Sequence, residues 1–320
     1  MKEKNIIELA NKYFYKENPE IIKNIGDDCA VVKEIKYKQL FTSDILIEDT
    51  HFLLNKIPSY LLGWKSLAVN ISDIASMGGV PKYALLSLGI NEKVDYNWLD
   101  SFYKGLSDCA NKYNVNIIGG DTVKSLKSIV INISLTGITE KPIYRNNVKS
   151  GDLIFTTDYL GLSGAGFWCI KNDIKNDFCI EKHYKPIPRI EEGLFLAQNV
   201  NRLSMMDSSD GLFKSIETMC EQNNLGANIY SKNLSIHNSL KEVSNISKIN
   251  SEDFILFGGE DYELIFSMSE NDYNEIKHIY EEKFNIKLNI LGYFTNEHNN
   301  IYLEKNDKLI LLSDQSFKHF

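Results

Sequence analysis

The chain has 320 residues, of which 43% are hydrophobic and 24% are charged, close to ordinary globular usage. At about 150 residues per domain, this length predicts two domains. The 43 acidic and 35 basic residues give a net charge of −8, which argues against a sequence-independent nucleic-acid binder. Five scattered cysteines with no C-x-x-C pair argue against a disulfide framework and against a zinc site.

No segment approaches the run of about 18 apolar residues that a membrane helix needs. Glu8 interrupts the short apolar stretch near the start, which therefore lacks the core of a signal peptide. We expect a cytoplasmic protein with no membrane partner.

Apolar segments alternate with segments of helical periodicity along the chain, which is typical of an α/β or α+β fold. The first half predicts strands at 39–47, 82–90, 115–118 and 128–138, and helices at 58–77 and 96–113. The stretch 140–151, which contains Pro142, two adjacent asparagines and Gly151, predicts a connection. We therefore predict domains at 1–139 and 150–320. The second half predicts strands at 153–157, 204–206, 228–231 and 263–268, and helices at 189–201, 212–223 and 270–283.

Acidic residues recur inside or directly after apolar strands and beside glycines. A carboxylate in such a place is costly to bury unless it is paired or bound to a cation. On the predicted helix 58–77, Ser66, Asn70 and Asp73 form one polar stripe on an otherwise apolar surface. Oxygen ligands favour Mg²⁺ or Ca²⁺, and Mg²⁺ usually arrives bound to phosphates. Any one of these acids could instead cap a helix or make a turn. The acids are Asp27, Asp28, Asp44, Asp121, Asp207, Asp210, Glu260 and Asp261.

Two glycine pairs, Gly119-Gly120 and Gly258-Gly259, allow backbone N–H groups to approach a phosphate closely. The segment 160–166 is also glycine-rich, but its spacing is G-x-x-G-x-G, which is not the dinucleotide-binding fingerprint, and a P-loop is absent. Motifs of the common hydrolases, metalloproteases and protein kinases are absent as well.

Histidines and cysteines offer few candidates for catalysis. Four histidines lie in charged or asparagine-rich segments and are expected to face solvent: His183, His237, His278 and His298. Three cysteines lie in apolar helical patterns and are expected to be buried: Cys109, Cys169 and Cys220.

Taken in order, motifs along nearly the whole chain resemble those of the thiamine-monophosphate kinases, in the AIR-synthetase-like or PurM-like superfamily. The N-terminal motifs are Ile25-Gly-Asp-Asp-Cys-Ala-Val-Val, Thr42-Ser-Asp-Ile-Leu-Ile-Glu-Asp-Thr-His-Phe, Leu67-Ala-Val-Asn-Ile-Ser-Asp-Ile-Ala-Ser-Met-Gly-Gly-Val-Pro and Ile118-Gly-Gly-Asp-Thr. The later motifs are Gly151-Asp-Leu, His183-Tyr-Lys-Pro-Ile-Pro-Arg, Asp207-Ser-Ser-Asp-Gly-Leu, Phe257-Gly-Gly-Glu-Asp-Tyr-Glu-Leu and the terminal Phe317-Lys-His-Phe.

The resemblance implies a two-domain PurM-like α/β (α+β) fold and transfer of the γ-phosphate of ATP to thiamine monophosphate, giving thiamine diphosphate. It also implies direct in-line transfer assisted by several Mg²⁺ ions. A homodimer built through the N-terminal sheet domain is expected, both from the resemblance and because helix 58–77 is apolar over more than one face.

The resemblance also implies roles for individual residues. Metal ligands fall at Asp28, Thr42, Ser43, Asp44, Asp73, Asp121, Asp207 and Asp210, of which Asp44 and Asp210 are catalytic. Nucleotide contacts fall at Tyr103, Gly120, Asp121, Arg145 and Ser209, and thiamine monophosphate contacts at His51, Glu260 and Phe317. Two departures fall outside these positions: Asp49 stands where the family usually has glycine, and the segment 160–163 lacks the usual aspartate after its glycine.

Two other classes of function stay open. The first is another ATP-using synthetase of the superfamily, making selenophosphate or aminoimidazole ribotide. Selenophosphate synthetases carry a reactive Cys or Sec in an N-terminal glycine-rich loop, and hydrogenase-maturation relatives end in a functional cysteine, whereas this chain ends in Lys318-His-Phe. The second is a nucleotide-binding module without turnover, which would be expected to lose some of the matching carboxylates.

Overall fold

A computed structural model describes residues 3–23, 31–33 and 36–316. The chain divides into two compact units, each with its own sheet and helices, so the predicted α/β fold class is confirmed. Unit 1 comprises Met1–Ile74 and Gly79–Glu140, and unit 2 comprises Ala75–Gly78 and Lys141–Phe320. In the part of the chain described, no helix combines the length and apolar character needed to cross a membrane.

The first half of the chain contains all six elements predicted for it. Its elements are α1 (Glu3–Phe14), β1 (Ile21–Lys23), β2 (Val31–Val32), β3 (Lys38–Ile47), α2 (Ser59–Ser76), β4 (Val80–Ile90), α3 (Tyr96–Lys112), β5 (Asn116–Lys124) and β6 (Val130–Thr139). Strand β5 runs six residues past its predicted end at 118, because Gly120 continues the strand instead of turning. Its φ is +149°, and an added Cβ would lie 1.8 Å from the carbonyl oxygen of Leu86 on β4.

The main sheet of unit 1 has the order β3-β6-β4-β5. Strands β4 and β5 are parallel and joined by α3, whereas β6 pairs antiparallel with both β3 and β4. Side chains alternate along β6, where Ile131, Ile133 and Leu135 are buried and the residues between them are only partly covered. One face of this sheet therefore carries the core of unit 1.

Helices α2 and α3 approach each other at two glycines. An added Cβ on Gly63 would lie 2.0 Å from the carbonyl oxygen of Phe102, and one on Gly105 would lie 1.8 Å from that of Tyr60. A side chain at either position would collide with backbone atoms, so the two glycines fix how closely and in what register these helices pack.

Unit 2 contains a seven-stranded sheet in the order β13-β12-β9-β11-β7-β10-β8. Its strands are β7 (Leu153–Thr156), β8 (Ser204–Asp207), β9 (Gly226–Tyr230), β10 (Leu264–Met268), β11 (Gly292–Thr295), β12 (Ile301–Lys305) and β13 (Lys308–Leu311). Its helices are α4 (Leu162–Lys171), α5 (Asp177–Tyr184), α6 (Ile190–Asn199), α7 (Leu212–Asn223), α8 (Asn238–Ser247), α9 (Ser251–Phe257) and α10 (Glu270–Phe284), with a 3₁₀ turn at Ser231–Asn233.

Two hydrophobic clusters in unit 2 take alternate residues of the same strand. Ile154 of β7 packs in a cluster with residues of α4, α7, α8 and α9, whereas the next residue, Phe155, packs with residues of α6 and α10. Both faces of the sheet are thus covered, which explains why β10 is buried along its whole length.

One edge of this sheet gathers the segments that carry the acidic motifs. The pairings Asp207 with Leu264 and Thr156 with Ile265 put the carboxyl ends of β8 and β7 beside the amino end of β10. The turns that follow β8 and precede β10 therefore meet at this edge.

Gly105→Ala should lower the thermal unfolding midpoint, because the new methyl group would overlap the backbone of Tyr60. Overpacking typically costs ~1–3 kcal/mol, which exceeds the gain of at most ~1 kcal/mol from replacing glycine by alanine in a helix. Circular dichroism melts would measure the change. Gly89→Ala is the matched control, because its Cβ would lie 3.5 Å from the nearest heavy atom, an ordinary contact. Equal midpoints for the two variants would contradict the packing argument.

Candidate active site

Two acidic side chains from different elements of unit 1 lie near each other on the face of the sheet that contacts α2. Asp44 lies on β3 and Asp73 on α2. The Thr42 hydroxyl donates a short hydrogen bond to Asp73 Oδ2, and the Asp44 backbone N–H donates to Asn70 Oδ1 at 3.0 Å. The predicted polar stripe of α2 therefore meets the predicted acidic strand. Ser66 does not join them, because its hydroxyl donates to the Leu62 carbonyl within the helix.

Burial and the nearby Asp73 raise the pKa of Asp44 to about 7. Both effects disfavour the ionised carboxylate, since burial removes water from it and a like charge repels it. Such a pair is stabilised by a proton or by a cation bound between the carboxylates.

Ser43 and Asp121 lie on the opposite, outer face of the same sheet. Ser43 Oγ is 3.1 Å from Ser134 Oγ and accepts from Asn132 Nδ2 at 3.0 Å. The strand register aligns Asp121, on β5, with Asn132, on β6. In the sheet order, β5 lies three positions from β3. At the usual strand spacing, β3 and β5 are roughly 14 Å apart. Asp44 and Asp121 are thus too far apart along the sheet to share one small ion.

His51 lies in the turn that follows β3. Its Nδ1 accepts a hydrogen bond from the Ile47 N–H at 3.1 Å, so the proton of the neutral ring resides on Nε2. The buried Glu48 carboxylate braces the turn by accepting from the Ile129 N–H and from Lys93 Nζ, both at 2.9 Å. Asp49 has φ 67°, so the residue that replaces the usual glycine adopts the left-handed conformation.

Tyr103 is a core residue in this structure. Its ring is 1% exposed and makes an edge contact with Phe14 at a centroid distance of 5.2 Å. Burial raises the pKa of its hydroxyl to about 12. The structure thus gives Tyr103 the placement of a helix residue packed in the interior, and its contact with a nucleotide stays a prediction.

In unit 2, the turn after β8 packs directly against the turn before β10. The Glu260 N–H donates to the Ser209 carbonyl at 2.6 Å, and the Tyr262 N–H donates to the Ser208 carbonyl at 3.0 Å. Gly259 permits this approach, because an added Cβ would lie 2.6 Å from the Ser209 oxygen. The structure therefore brings together Ser209 and Glu260, with Asp207 and Asp210 on either side of Ser209.

The glycine-rich start of α4 binds a carboxylate of the protein itself. Asp261 accepts hydrogen bonds from the N–H groups of Gly161, at 2.6 Å, and Ser163, at 2.9 Å. Burial raises the pKa of Asp261 to about 7, against the effect of these two donors. The segment that most looked like a nucleotide loop is thus occupied by an internal anion.

His183, expected to face solvent, is instead buried, and that expectation was wrong. Its Nδ1 lies 3.0 Å from Ser163 Oγ and 3.4 Å from Glu260 Oε2. Sequence reasoning missed both His183 and Ser163 as neighbours of Glu260. The motif that contains His183 was the available signal. The expectation held for His278, which is exposed, and the three cysteines expected to be buried are buried.

A buried arginine anchors the far end of the same loop. Arg189 donates to both carboxylate oxygens of Glu263, at 2.7 and 2.6 Å, and to Asp158 at 2.8 Å. The Thr157 hydroxyl donates to Glu263 at 2.5 Å. Burial raises the pKa of Glu263, and the contact with Arg189 opposes that rise. This network fixes the segment that leads from Glu260 into β10.

Arg145 lies away from these turns within unit 2. Its carbonyl oxygen accepts from Asn223, the last residue of α7, whereas Asp210 precedes the first turn of that helix. A helix of 12 residues is roughly 18 Å long. The structure of unit 2 alone therefore does not join Arg145 to Ser209 and Asp210.

Two predicted site residues, Asp28 and Phe317, lie outside the described residues. Among the residues that are described, no three His, Cys, Asp or Glu side chains are grouped so as to hold a metal ion. In unit 1, the oxygen donors that come closest to forming a metal site are the carboxylates of Asp44 and Asp73 and the hydroxyl of Thr42.

Asp44→Asn should raise the thermal unfolding midpoint of metal-free protein at pH 8. The folded-state pKa of about 7 exceeds the ordinary value of 3.8, so stability falls as the pH rises between these values and stays low above pH 7. At ~1.4 kcal/mol per pKa unit, the loss at pH 8 reaches at most ~4 kcal/mol. The amide of asparagine carries no charge, so the variant avoids this loss of stability. Melts in a chelator would show a gain that shrinks towards pH 5, and a variant no more stable than the parent at pH 8 would argue against the buried charge.

Comparison with known proteins accounts for both units. Residues 26–139 match the family described as AIR synthase related protein, N-terminal domain, and residues 149–304 match its C-terminal domain. A thiamine-monophosphate kinase of Buchnera aphidicola is 38% identical over 325 residues, covering 98% of this chain and 98% of that protein. A solved structure of AaThiL complexed with AMPPCP and TMP is 29% identical to this chain, with a TM-score of 0.79. The match covers 99% of this chain and 97% of the AaThiL chain. The hydrogenase maturation protein HypE of E. coli is 15% identical with a TM-score of 0.81, covers 98% of both chains, and shows a shared fold alone. The chain belongs to the thiamine-monophosphate kinase family of AIR synthase related proteins.

Proposed function

We propose that this protein transfers the γ-phosphoryl group of ATP to thiamine monophosphate, giving thiamine diphosphate and ADP. The observation that carries the proposal is the near-full-length similarity to a thiamine-monophosphate kinase, 38% identical over 98% of both chains. The AaThiL structure complexed with AMPPCP and TMP supports the same pair of substrates. HypE shares the fold at 15% identity, so fold alone does not separate this activity from the other reactions of the superfamily.

Mg²⁺ is the cofactor that the residues fit. Asp44, Asp73 and Thr42 supply hard oxygen donors, and the raised pKa of Asp44 shows a carboxylate whose surroundings disfavour its charge. When bound, the ions would neutralise the negative charge of the two phosphate groups that must approach each other. Because Asp121 lies on the outer face of the sheet, three strands from Asp44, it would hold a different ion.

The proposed residue roles follow the family motifs. Asp28, Thr42, Ser43, Asp44, Asp73, Asp121, Asp207 and Asp210 hold metal. Tyr103, Gly120, Asp121, Arg145 and Ser209 contact the nucleotide, and His51, Glu260 and Phe317 contact thiamine monophosphate. Asp44 and Asp210 are the catalytic residues, and the two domains span 1–139 and 150–320.

The reaction needs no nucleophile from the protein. An oxygen of the acceptor phosphate attacks the γ-phosphorus while the bond to the bridging oxygen of ADP breaks. That acceptor oxygen is already largely ionised at pH 7, so no general base is required. Of the described histidines, His51 accepts a backbone hydrogen bond at Nδ1, and His183 is buried beside Ser163 and Glu260. The protein's own contribution is to orient the two substrates and hold the charges that stabilise the transition state.

A homodimer formed through unit 1 belongs to the proposal, together with a location in the cytoplasm. The apolar surface of α2, which suggested the dimer, is buried within the single chain. The outer face of the unit 1 sheet offers a different surface, because Phe41, Ile45, Leu85 and Val123 are exposed on it. Several apolar side chains exposed on one sheet face suit an interface, and a second copy would cover them symmetrically.

ADP release should depend on thiamine monophosphate, and Asp44→Asn or Asp210→Asn should lower turnover at least ~100-fold, the scale of losing one charge-stabilising group. A coupled assay would compare thiamine monophosphate with thiamine, an aminoimidazole precursor and selenide. Asp307→Asn, at an exposed turn with φ 59°, is the matched control and should retain activity. ADP release stimulated by selenide or by the aminoimidazole precursor alone would favour another synthetase, and no release with any acceptor would favour a module without turnover.

Phe41→Lys should convert a species of twice 36.6 kDa into one of 36.6 kDa in sedimentation at micromolar protein. Phe41 is 73% exposed in the single chain, so a lysine there leaves the fold intact but places a charge inside the dimer contact. Leu126→Lys is the control, because Leu126 is 90% exposed and lies between β5 and β6, away from the strand surface. A parent protein that sediments only at 36.6 kDa would rule out the dimer.

A further inference from the structure

We infer that His183 is a positioning residue that holds the Glu260 carboxylate in place for the acceptor substrate. The inference rests on the proposed function, in which Glu260 contacts thiamine monophosphate. His183 itself is not placed in contact with either substrate. It fixes the orientation of the Glu260 side chain, which makes the contact with thiamine monophosphate.

The backbone at Glu260 is held in an uncommon conformation. Glu260 has φ 64° and Tyr262 has φ 53°, values that residues with side chains seldom adopt. Hydrogen bonds of three successive residues maintain this shape. Glu260 donates to the Ser209 carbonyl, Asp261 accepts from N–H groups at the start of α4, and Tyr262 donates to the Ser208 carbonyl. Persistent strain of this kind is typical of functional segments, whose surroundings impose a conformation that the chain alone would avoid.

The side chain of Glu260 has a buried neighbour as well. His183 Nδ1 lies 3.4 Å from Glu260 Oε2 and 3.0 Å from Ser163 Oγ. The imidazole is 4% exposed and stacks on Phe167 at a centroid distance of 5.3 Å, so it cannot turn away easily. Nδ1 is hydrogen-bonded to the Ser163 hydroxyl and lies within ion-pair distance of the Glu260 carboxylate. The Ser163 hydroxyl shares that nitrogen and is fixed by the first turn of α4.

Glu260 nevertheless stays accessible to a ligand. Its side chain is 28% exposed, against 4% for the imidazole that contacts it. His183 thus holds Oε2 from the buried side while part of the carboxylate remains open to a ligand. Thiamine monophosphate offers a cationic thiazolium and an amino group on its pyrimidine, and an immobilised carboxylate suits either. Preorganisation by such a supporting contact increases affinity because less freedom is lost on binding.

A double-mutant cycle between His183 and Glu260 tests the assignment. The full-length variants are His183→Leu, His183→Asn, Glu260→Gln and the double variant His183→Leu/Glu260→Gln. Leucine removes Nδ1 at nearly constant volume, whereas asparagine supplies an amide nitrogen in its place. Tyr184→Phe, the next residue of α5, is the control for a conservative change in the same packed region. KM for thiamine monophosphate, KM for ATP and the unfolding midpoint are measured for each.

His183→Leu should raise KM for thiamine monophosphate ~10-fold, the scale of losing one polar contact with a charged group, and leave KM for ATP within a factor of about two. His183→Asn should restore much of the affinity. The double variant should be no weaker than Glu260→Gln alone, because His183 acts through Glu260. Tyr184→Phe should behave as the parent.

Three results would overturn the inference. They are an unchanged KM for thiamine monophosphate in His183→Leu, equal changes in both KM values, and strictly additive effects in the double variant. If His183→Leu does not fold, His183→Phe decides the question, because it keeps an aromatic ring against Phe167 and removes Nδ1. An unchanged KM for thiamine monophosphate in that variant would overturn the inference. Failure of the proposed function itself is distinct, since the parent protein would then release no ADP with thiamine monophosphate.

Discussion

The charge of a buried carboxylate has to be neutralised, and this requirement governs how both units are built. In unit 2 the protein neutralises its own acids: Asp261 binds two N–H groups of α4, Glu263 binds Arg189, and Asp152 binds Arg202. In unit 1 Asp44 lies near Asp73, and both influences on its pKa raise it. The first group of acids stabilises the fold, and we propose that the second receives a cation.

The acidic pair of unit 1 depends on packing that involves no acids. Gly63 and Gly105 bring α2 and α3 into backbone contact, which fixes the rotation of α2 about its axis. That rotation directs Asn70 and Asp73 towards β3, where Thr42 and Asp44 face them. A side chain at either glycine would displace the helix and with it the pair. Residues far from the chemistry therefore share in setting the site's geometry.

Long elements of regular periodicity could be predicted from the sequence, as could the polar stripe on α2. That Asn70 and Asp73 of this stripe meet β3 became evident only from the structure. Helix α4 was missed altogether, because Gly161, Gly164 and Gly166 weaken the helical pattern. Those glycines are needed where other backbone passes close, at Phe254, Gly258 and Cys179. Burial of His183 was missed for a related reason. Its neighbours in sequence are polar, and the aromatic and carboxylate groups that enclose it, Phe167 and Glu260, come from other parts of the chain.

The glycine-rich segment 160–166 shows why a local motif cannot by itself identify a ligand. The start of a helix presents N–H groups that favour any anion, and the sequence pattern is the same for a phosphate as for a carboxylate. Here Asp261, about a hundred residues away in the chain, supplies the anion. The pairing of β10 with β7, which aligns Ile265 with Thr156, helps to bring that acid to the helix. A site of this kind is structural when the fold itself supplies the opposite charge, and it is free for a ligand when the fold does not. In this protein that difference depends on strand pairing, which the residues of the segment do not encode.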